Sequence, residues 1–148
     1  MKRIIFIFWS VISLFSCSLN KDYTRQVEAK LKDLDNNPIG SYSFIIIIPE
    51  EGCSGCISEA EDFYMNNKER QDLFFIFTNI SSIKSIKLRV GKDIKDKKNV
   101  FLDLDNDFLS EQFNENIYPI VFDIRNKDNI TYRFLEPGID LQIKSPKE

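Results

Sequence analysis

Apolar side chains fall along this chain in short dense runs separated by polar stretches, and the runs differ in period. The densest lies in residues 41–49, where four consecutive isoleucines, Ile45 to Ile48, show no alternation. β-Branched residues favour extended backbone, and an unbroken apolar run suggests a strand buried on both faces. Leu73–Thr78, reading LFFIFT, is a second buried strand. Between them, residues 57–68 place Ile57, Ala60 and Tyr64 on one helical face with Phe63 beside them. Glu59, Glu61 and Asp62 then fall in the early turns, where carboxylates suit the helix dipole. Ser81 or Ser82 can cap a helix presenting Ile83, Ile86 and Val90. Gly91 and the lysine-rich 92–98 stretch end that helix and read as surface.

Further along, residues 99–103 form a short strand. Residues 107–116 form a short helix with Phe108 or Leu109 and Phe113 inward. Residues 118–124 are a strand opened by Pro119, residues 126–129 a hairpin turn, and residues 130–134 a final strand with Ile130, Tyr132 and Phe134 on one face. Upstream, residues 25–40 are open between helix and strand, with helix preferred because Val27, Leu31 and Leu34 fit a helical face and hold a strand period poorly; the turn sequence DNNPIG at 35–40 closes either element. The tail, 136–148, carries Ile139, Leu141 and Ile143 as a short helix or an edge strand. The early order implies parallel crossovers and the last two strands an antiparallel pair. The expected architecture is therefore α/β, with a mixed central β-sheet flanked by helices on both faces. A chain of 148 residues fits one such domain, and its 13 phenylalanines supply large buried surfaces.

The first twenty residues do not belong to that pattern. Lys2 and Arg3 precede an apolar run from Ile4 to Phe15. Twelve residues make about 18 Å of helix, short for a bilayer span and suited to a signal h-region. A buried domain helix is the alternative, and it leaves unexplained the terminal charges and the abrupt polar change after Cys17. The run ends Leu14-Phe15-Ser16-Cys17, which resembles the lipobox of bacterial lipoproteins. That resemblance implies cleavage after Ser16, lipidation of Cys17 and stable anchoring in a bilayer, since more than one acyl chain is attached. Plain secretion with an unlipidated Cys17 is the other reading. The expected division is a signal peptide over 1–16, a lipidated cysteine and polar tether over 17–24, and the domain over 25–148. Trp9, the sole tryptophan, lies in the signal, so the mature protein lacks one.

Charge and composition narrow the chemistry. The chain carries 20 basic and 23 acidic side chains, and loss of Lys2 and Arg3 leaves 18 against 23. No stretch gathers basic and aromatic residues on one face, so nucleic-acid binding has no support. Histidine is absent, which removes Ser-His-Asp and Cys-His catalysis and imidazole zinc sites. The cysteines are Cys17, Cys53 and Cys56. With Cys17 lipidated, the other two form a clean pair.

Cys53-Ser54-Gly55-Cys56 follows a buried strand and opens an amphipathic helix. There the helix dipole and free backbone N–H groups favour a thiolate on the first sulfur, and the second cysteine, one turn in, can attack a mixed disulfide. Cys53 is thus the expected nucleophile and Cys56 the resolving thiol. A structural disulfide is the bland reading, but a crosslink over four residues restrains the unfolded chain little. A zinc site lacks ligands, since two thiolates do not fill a tetrahedral shell. Asp103-Leu-Asp-Asn-Asp107 has calcium-loop spacing at first, but Phe108 stands where the central glycine belongs and Asn114 at the twelfth position. A strand end with a helix cap is preferred there.

At these residues the chain resembles the thioredoxin superfamily, particularly the small redoxin-like lipoproteins of Bacteroidetes-type bacteria. The likeness rests on Ile45-Ile-Ile-Ile-Pro-Glu-Glu-Gly-Cys-Ser-Gly-Cys56 and on Tyr118-Pro119-Ile-Val-Phe-Asp, and covers about 41–135. It implies a thioredoxin-like fold, Pro119 lying against the dithiol where the family has a cis proline, and backbone contacts from Tyr118 to the substrate. The residues themselves leave the isomer of Pro119 open, since cis is the minority state even before proline. No metal or organic cofactor is implied. The sequence departs from the family in three ways. Gly52 stands in place of the tryptophan before the motif, no proline lies between the cysteines, and apolar Ile47 occupies the register of a buried acid. Glu50, Glu51 and Glu59 are expected to crowd Cys53 and disfavour its thiolate, opposing the helix dipole and leaving a moderate pKa.

The leading expectation is a cell-envelope lipoprotein, facing the periplasm or held in the outer membrane. It would be a thiol–disulfide oxidoreductase acting on the thiols or disulfides of exported proteins. As a reductase it requires a membrane electron donor. The alternative is a non-catalytic adaptor or binding lipoprotein with a structural or sensing disulfide. A peroxidase-like role is weaker, because no arginine is placed in sequence to assist a lone nucleophile near Cys53.

Overall fold

The two apolar runs become neighbouring strands at the centre of one sheet. The computed structural model describes residues 23–35, 37–109, 117–138, 141 and 143. The signal segment, Trp9, Cys17 and Phe113 lie outside the described residues. The elements are helix α1 over 23–33, strand β1 (Phe44–Pro49), helix α2 (Ser54–Asn67), β2 (Leu73–Thr78), α3 (Ile83–Val90), β3 (Val100–Leu102), β4 (Ile120–Asp123) and β5 (Thr131–Phe134). The sheet order is β3-β2-β1-β4-β5. β1 runs parallel to β2, and β2 to β3. β4 is antiparallel to β1 and to β5.

The absence of alternation in β1 has the expected cause. Ile46 and Ile48 enter a core with Ile57, Ala60 and Tyr64 of α2 and Ile86 and Val90 of α3. Ile45 and Ile47 enter the opposite core with Tyr23, Val27 and Leu31 of α1. All four isoleucines are at most 2% exposed, and each stabilises the fold by about 1.5–3 kcal/mol through burial. β2 divides likewise: Leu73, Phe75 and Phe77 face α2 and α3, while Phe74 and Ile76 face α1. The architecture is a mixed α/β sheet with helices on both faces.

Several local expectations change. Tyr23 and Thr24, placed in the tether on sequence grounds, are already helical, and Tyr23 is buried against Phe122 and Tyr132. The lysine-rich stretch is not only surface: Lys92–Asp96 is a 3-10 turn whose Ile94 is fully buried. Ile83 is half-buried, so Ile86 and Val90 carry the seating of α3. Residues 107 and 108 form a turn rather than a helix and 109 belongs to no element, with Phe108 buried; the remainder of the helix expected over 107–116 lies outside the described residues. Leu141 and Ile143 are buried without belonging to a helix or strand.

Tyr64 exposes a defect in this core. Its ring packs edge-on against Phe75 and Phe77, at centroid distances of 5.0 and 5.3 Å. Its buried hydroxyl has no hydrogen-bond partner. Burial, with added repulsion from Asp93 and Glu69, pushes the phenol's pKa up to about 12. Tyr64→Phe keeps the ring and removes the unsatisfied oxygen. It should raise the unfolding free energy by about 1 kcal/mol, read as a higher urea midpoint at unchanged slope. A lower midpoint would mean that the hydroxyl is satisfied in solution.

Candidate active site

β1 ends at Pro49, and four residues later Cys53 becomes the N-cap of α2. Its backbone is extended (φ −67°, ψ 98°), and its Sγ accepts the Cys56 N–H at 3.4 Å. Its carbonyl accepts the Ile57 N–H at 2.9 Å, closing the first helical turn. The helix therefore starts at Ser54, earlier than the apolar period indicates. Its first turn holds no acidic residue, so the sulfur of Cys53 alone sits at the positive end of the dipole. Cys53 and Cys56 are joined by a disulfide with their Cα atoms 5.4 Å apart. Cys53 is half-exposed, whereas Cys56 is only 4% exposed.

The segment carrying Tyr118 and Pro119 lies against this motif, held by a residue the sequence reading passed over. The Cys53 N–H donates to the Ile117 carbonyl at 2.9 Å. Gly52 adopts φ +150°, and a Cβ there would fall 2.4 Å from the Ile117 oxygen and 2.6 Å from its Cα. A glycine is needed where two backbones approach so closely. The glycine beside Cys53 was the available sequence signal. Tyr118 is half-buried and Pro119 buried. No described peptide bond is cis, so the bond before Pro119 is trans, unlike the resemblance implies. A trans proline suffices to lead into β4, because the missing N–H falls just ahead of the strand while the Pro119 carbonyl accepts the Leu135 N–H at 2.8 Å.

Glu50 does not join the carboxylates expected around Cys53. Its side chain is 4% exposed and turned to α3. One oxygen accepts the backbone N–H groups of Ser81 and Ser82 and the Ser81 hydroxyl; the other meets Arg89 at 3.4 Å. Burial pushes its pKa up, but the hydrogen bonds from Ser82, Ser81 and Ser85 outweigh that and hold it below the ordinary value. Glu51 and Glu59 remain exposed. Ile47, in the register of the missing acid, is 2% exposed within the α1-side core.

In the aspartate-rich stretch, Asp103 closes the turn that follows β3. Asp103 is 1% exposed and accepts the Thr78 hydroxyl at 2.6 Å and the N–H groups of Asp107 and Phe108, both at 2.9 Å. Its oxygens are thus engaged within the protein. One open cleft, about 510 Å³, lies between the start of α1 and residues 127–132 and holds neither cysteine. The dithiol itself is a surface feature. Cys53 is its half-exposed member and Cys56 its buried one.

No family model matches the chain, no curated protein matches it, and no solved structure matches it.

Proposed function

We propose that this is a thioredoxin-like thiol–disulfide oxidoreductase of the cell envelope, tethered through Cys17 and acting on exported proteins. The observation that carries the reading is the unequal pair: half-exposed Cys53 at the start of α2, bonded to buried Cys56 one turn further in. The sheet lends support, since the motif follows a central parallel strand and the proline segment opens the antiparallel strand on that strand's other side.

In the reducing direction, the Cys53 thiolate attacks a substrate disulfide. A bond forms between Cys53 and one substrate sulfur, and the other leaves as a thiolate. Cys56 then attacks Cys53 as its thiolate, expelling the second substrate sulfur and closing the Cys53–Cys56 disulfide. The substrate gains two electrons, which a separate dithiol donor in the membrane must return to the pair. The oxidising direction is the reverse. The Cys56 N–H at the Cys53 sulfur and the α2 dipole favour the thiolate that both directions require. The Ile117 carbonyl fixes the backbone of the half-exposed Cys53.

Cys56→Ser removes the resolving thiol. Expressed in a bacterial envelope, it should accumulate dithiothreitol-sensitive adducts on Cys53 in non-reducing gels, absent when Cys53→Ser is added. An empty trap, together with a reduction potential below about −300 mV, would return the pair to a structural disulfide.

A further inference from the structure

The groups that brace the dithiol segment from outside converge on one side chain. Arg89, in the last turn of α3, reaches two carboxylates that flank the motif in sequence. Its Nε donates to Glu61 at 2.9 Å, and its terminal nitrogens donate to Glu50 at 3.4 Å. Glu50 stands three residues before Cys53 and Glu61 five residues after Cys56. Both carboxylates are largely buried, with side chains 4% and 10% exposed. Ser85 accepts from the same guanidinium and orients it. Lys97 also meets two carboxylates, but Glu69 and Asp93 are exposed and flank no site.

We infer that Arg89 is a positioning residue for the dithiol, tying the loop ahead of Cys53 to the helix behind Cys56 and keeping the Glu50 carboxylate turned to α3. The inference rests on reading Cys53 and Cys56 as an exchanging pair. While the disulfide is closed, a covalent bond holds Cys53 to the first turn of α2. Once it opens, the two carboxylates on Arg89 remain as braces beside the Cys53 N–H on the Ile117 carbonyl, the Cys53 carbonyl on the Ile57 N–H and the Glu50 bonds to Ser81 and Ser82. The ionisable groups on the elements around Cys53 are Glu50 and Glu51 in its own loop, Glu59, Glu61 and Asp62 on α2, Tyr118 beside Ile117, and Lys84, Lys87 and Arg89 on α3. Arg89 is the cation among them that pairs with Glu50 and Glu61. Its loss leaves the Glu50 carboxylate, still held by Ser81 and Ser82, without its counter-ion in the Cys53 loop, and cuts the tie from that loop through Glu61 to α2. Both changes disfavour the thiolate.

The test uses the reduced full chain carrying Cys17→Ser and follows alkylation of Cys53 by iodoacetamide against pH. Arg89→Ala should move the profile to higher pH and lower the rate at pH 7 by about three- to ten-fold. Arg89→Lys should fall between, since an ammonium is a point charge rather than a fork spanning two carboxylates. Glu50→Gln added to Arg89→Ala should recover most of the rate, which a purely structural role would not produce. If alanine unfolds the protein by circular dichroism, Arg89→Gln takes its place in the same series. A folded variant whose profile overlays the parent's, or an absent rescue by Glu50→Gln, overturns the inference. The readout needs no protein partner. An empty Cys56→Ser trap beside a shifted profile sinks the exchange function and spares Arg89's effect on Cys53, while a filled trap beside an unshifted profile sinks Arg89's role alone.

Discussion

Gly52→Ala should cost about 2–3 kcal/mol of stability and detach the Ile117 segment from the dithiol loop. The added methyl meets backbone rather than a movable side chain: the Ile117 oxygen at 2.4 Å, Cα at 2.6 Å and carbonyl carbon at 2.8 Å. None of these can shift without moving the 117–119 segment that leads into β4. Relief therefore means breaking the hydrogen bond from Cys53 to Ile117, which leaves the N-cap residue held from one side only. Gly55→Ala is the matched control. It lies two residues beyond Cys53, inside α2, and a Cβ there meets nothing within 4 Å. Alanine suits a helix better than glycine, so that change should be neutral or stabilise by up to about 1 kcal/mol. Urea unfolding of the two variants should separate them in opposite directions from the parent. Equal midpoints would mean that Ile117 does not press on Gly52 in solution.

How far residues announce such features depends on whether the interaction is local. β2 was legible because LFFIFT is itself the strand, and β1 because β-branching and two-sided burial act on the run of isoleucines directly. The dithiol was legible as a sequence motif. The start of α2 was legible from that motif, which puts Cys53 at the helix N-terminus, and not from the apolar period, because the first turn is Cys53-Ser54-Gly55, polar and small, with nothing to count until Cys56 and Ile57. Ile94 was hidden among lysines, where one buried side chain cannot outweigh its charged neighbours in a window. Glu50 looked like a charge on Cys53 because the two lie close in sequence. Its partners Ser81, Ser82 and Arg89 are more than thirty residues away, brought together by the β1–β2 pairing that carries α3 alongside. The contact from Ile117 uses a carbonyl common to every residue, so only the glycine opposite it left a trace.

Phe75→Ala should be the most damaging of these changes, at about 3–5 kcal/mol. Phe75 is fully buried in β2, paired with Ile46 of β1 on one side and Val100 of β3 on the other. Its ring lies 5.0 Å from Tyr64, edge-on at 81°, and 6.5 Å from Phe63. The cavity thus opens beneath the middle of α2, on the face that also buries Cys56 and Ile57. Parallel strands on both sides hold the backbone of β2, so the hole cannot close by collapse. Leu88→Ala, at a site 72% exposed on α3, should stay within about 0.5 kcal/mol of the parent. The damage should also reach the chemistry. With the helix poorly seated, Cys56 in the reduced protein should be alkylated faster than in the parent, under conditions where both variants remain folded. A large loss of stability with Cys56 still shielded would mean that the first turn of α2 is held by Cys53, Ile117 and Arg89 independently of the aromatic layer beneath the helix.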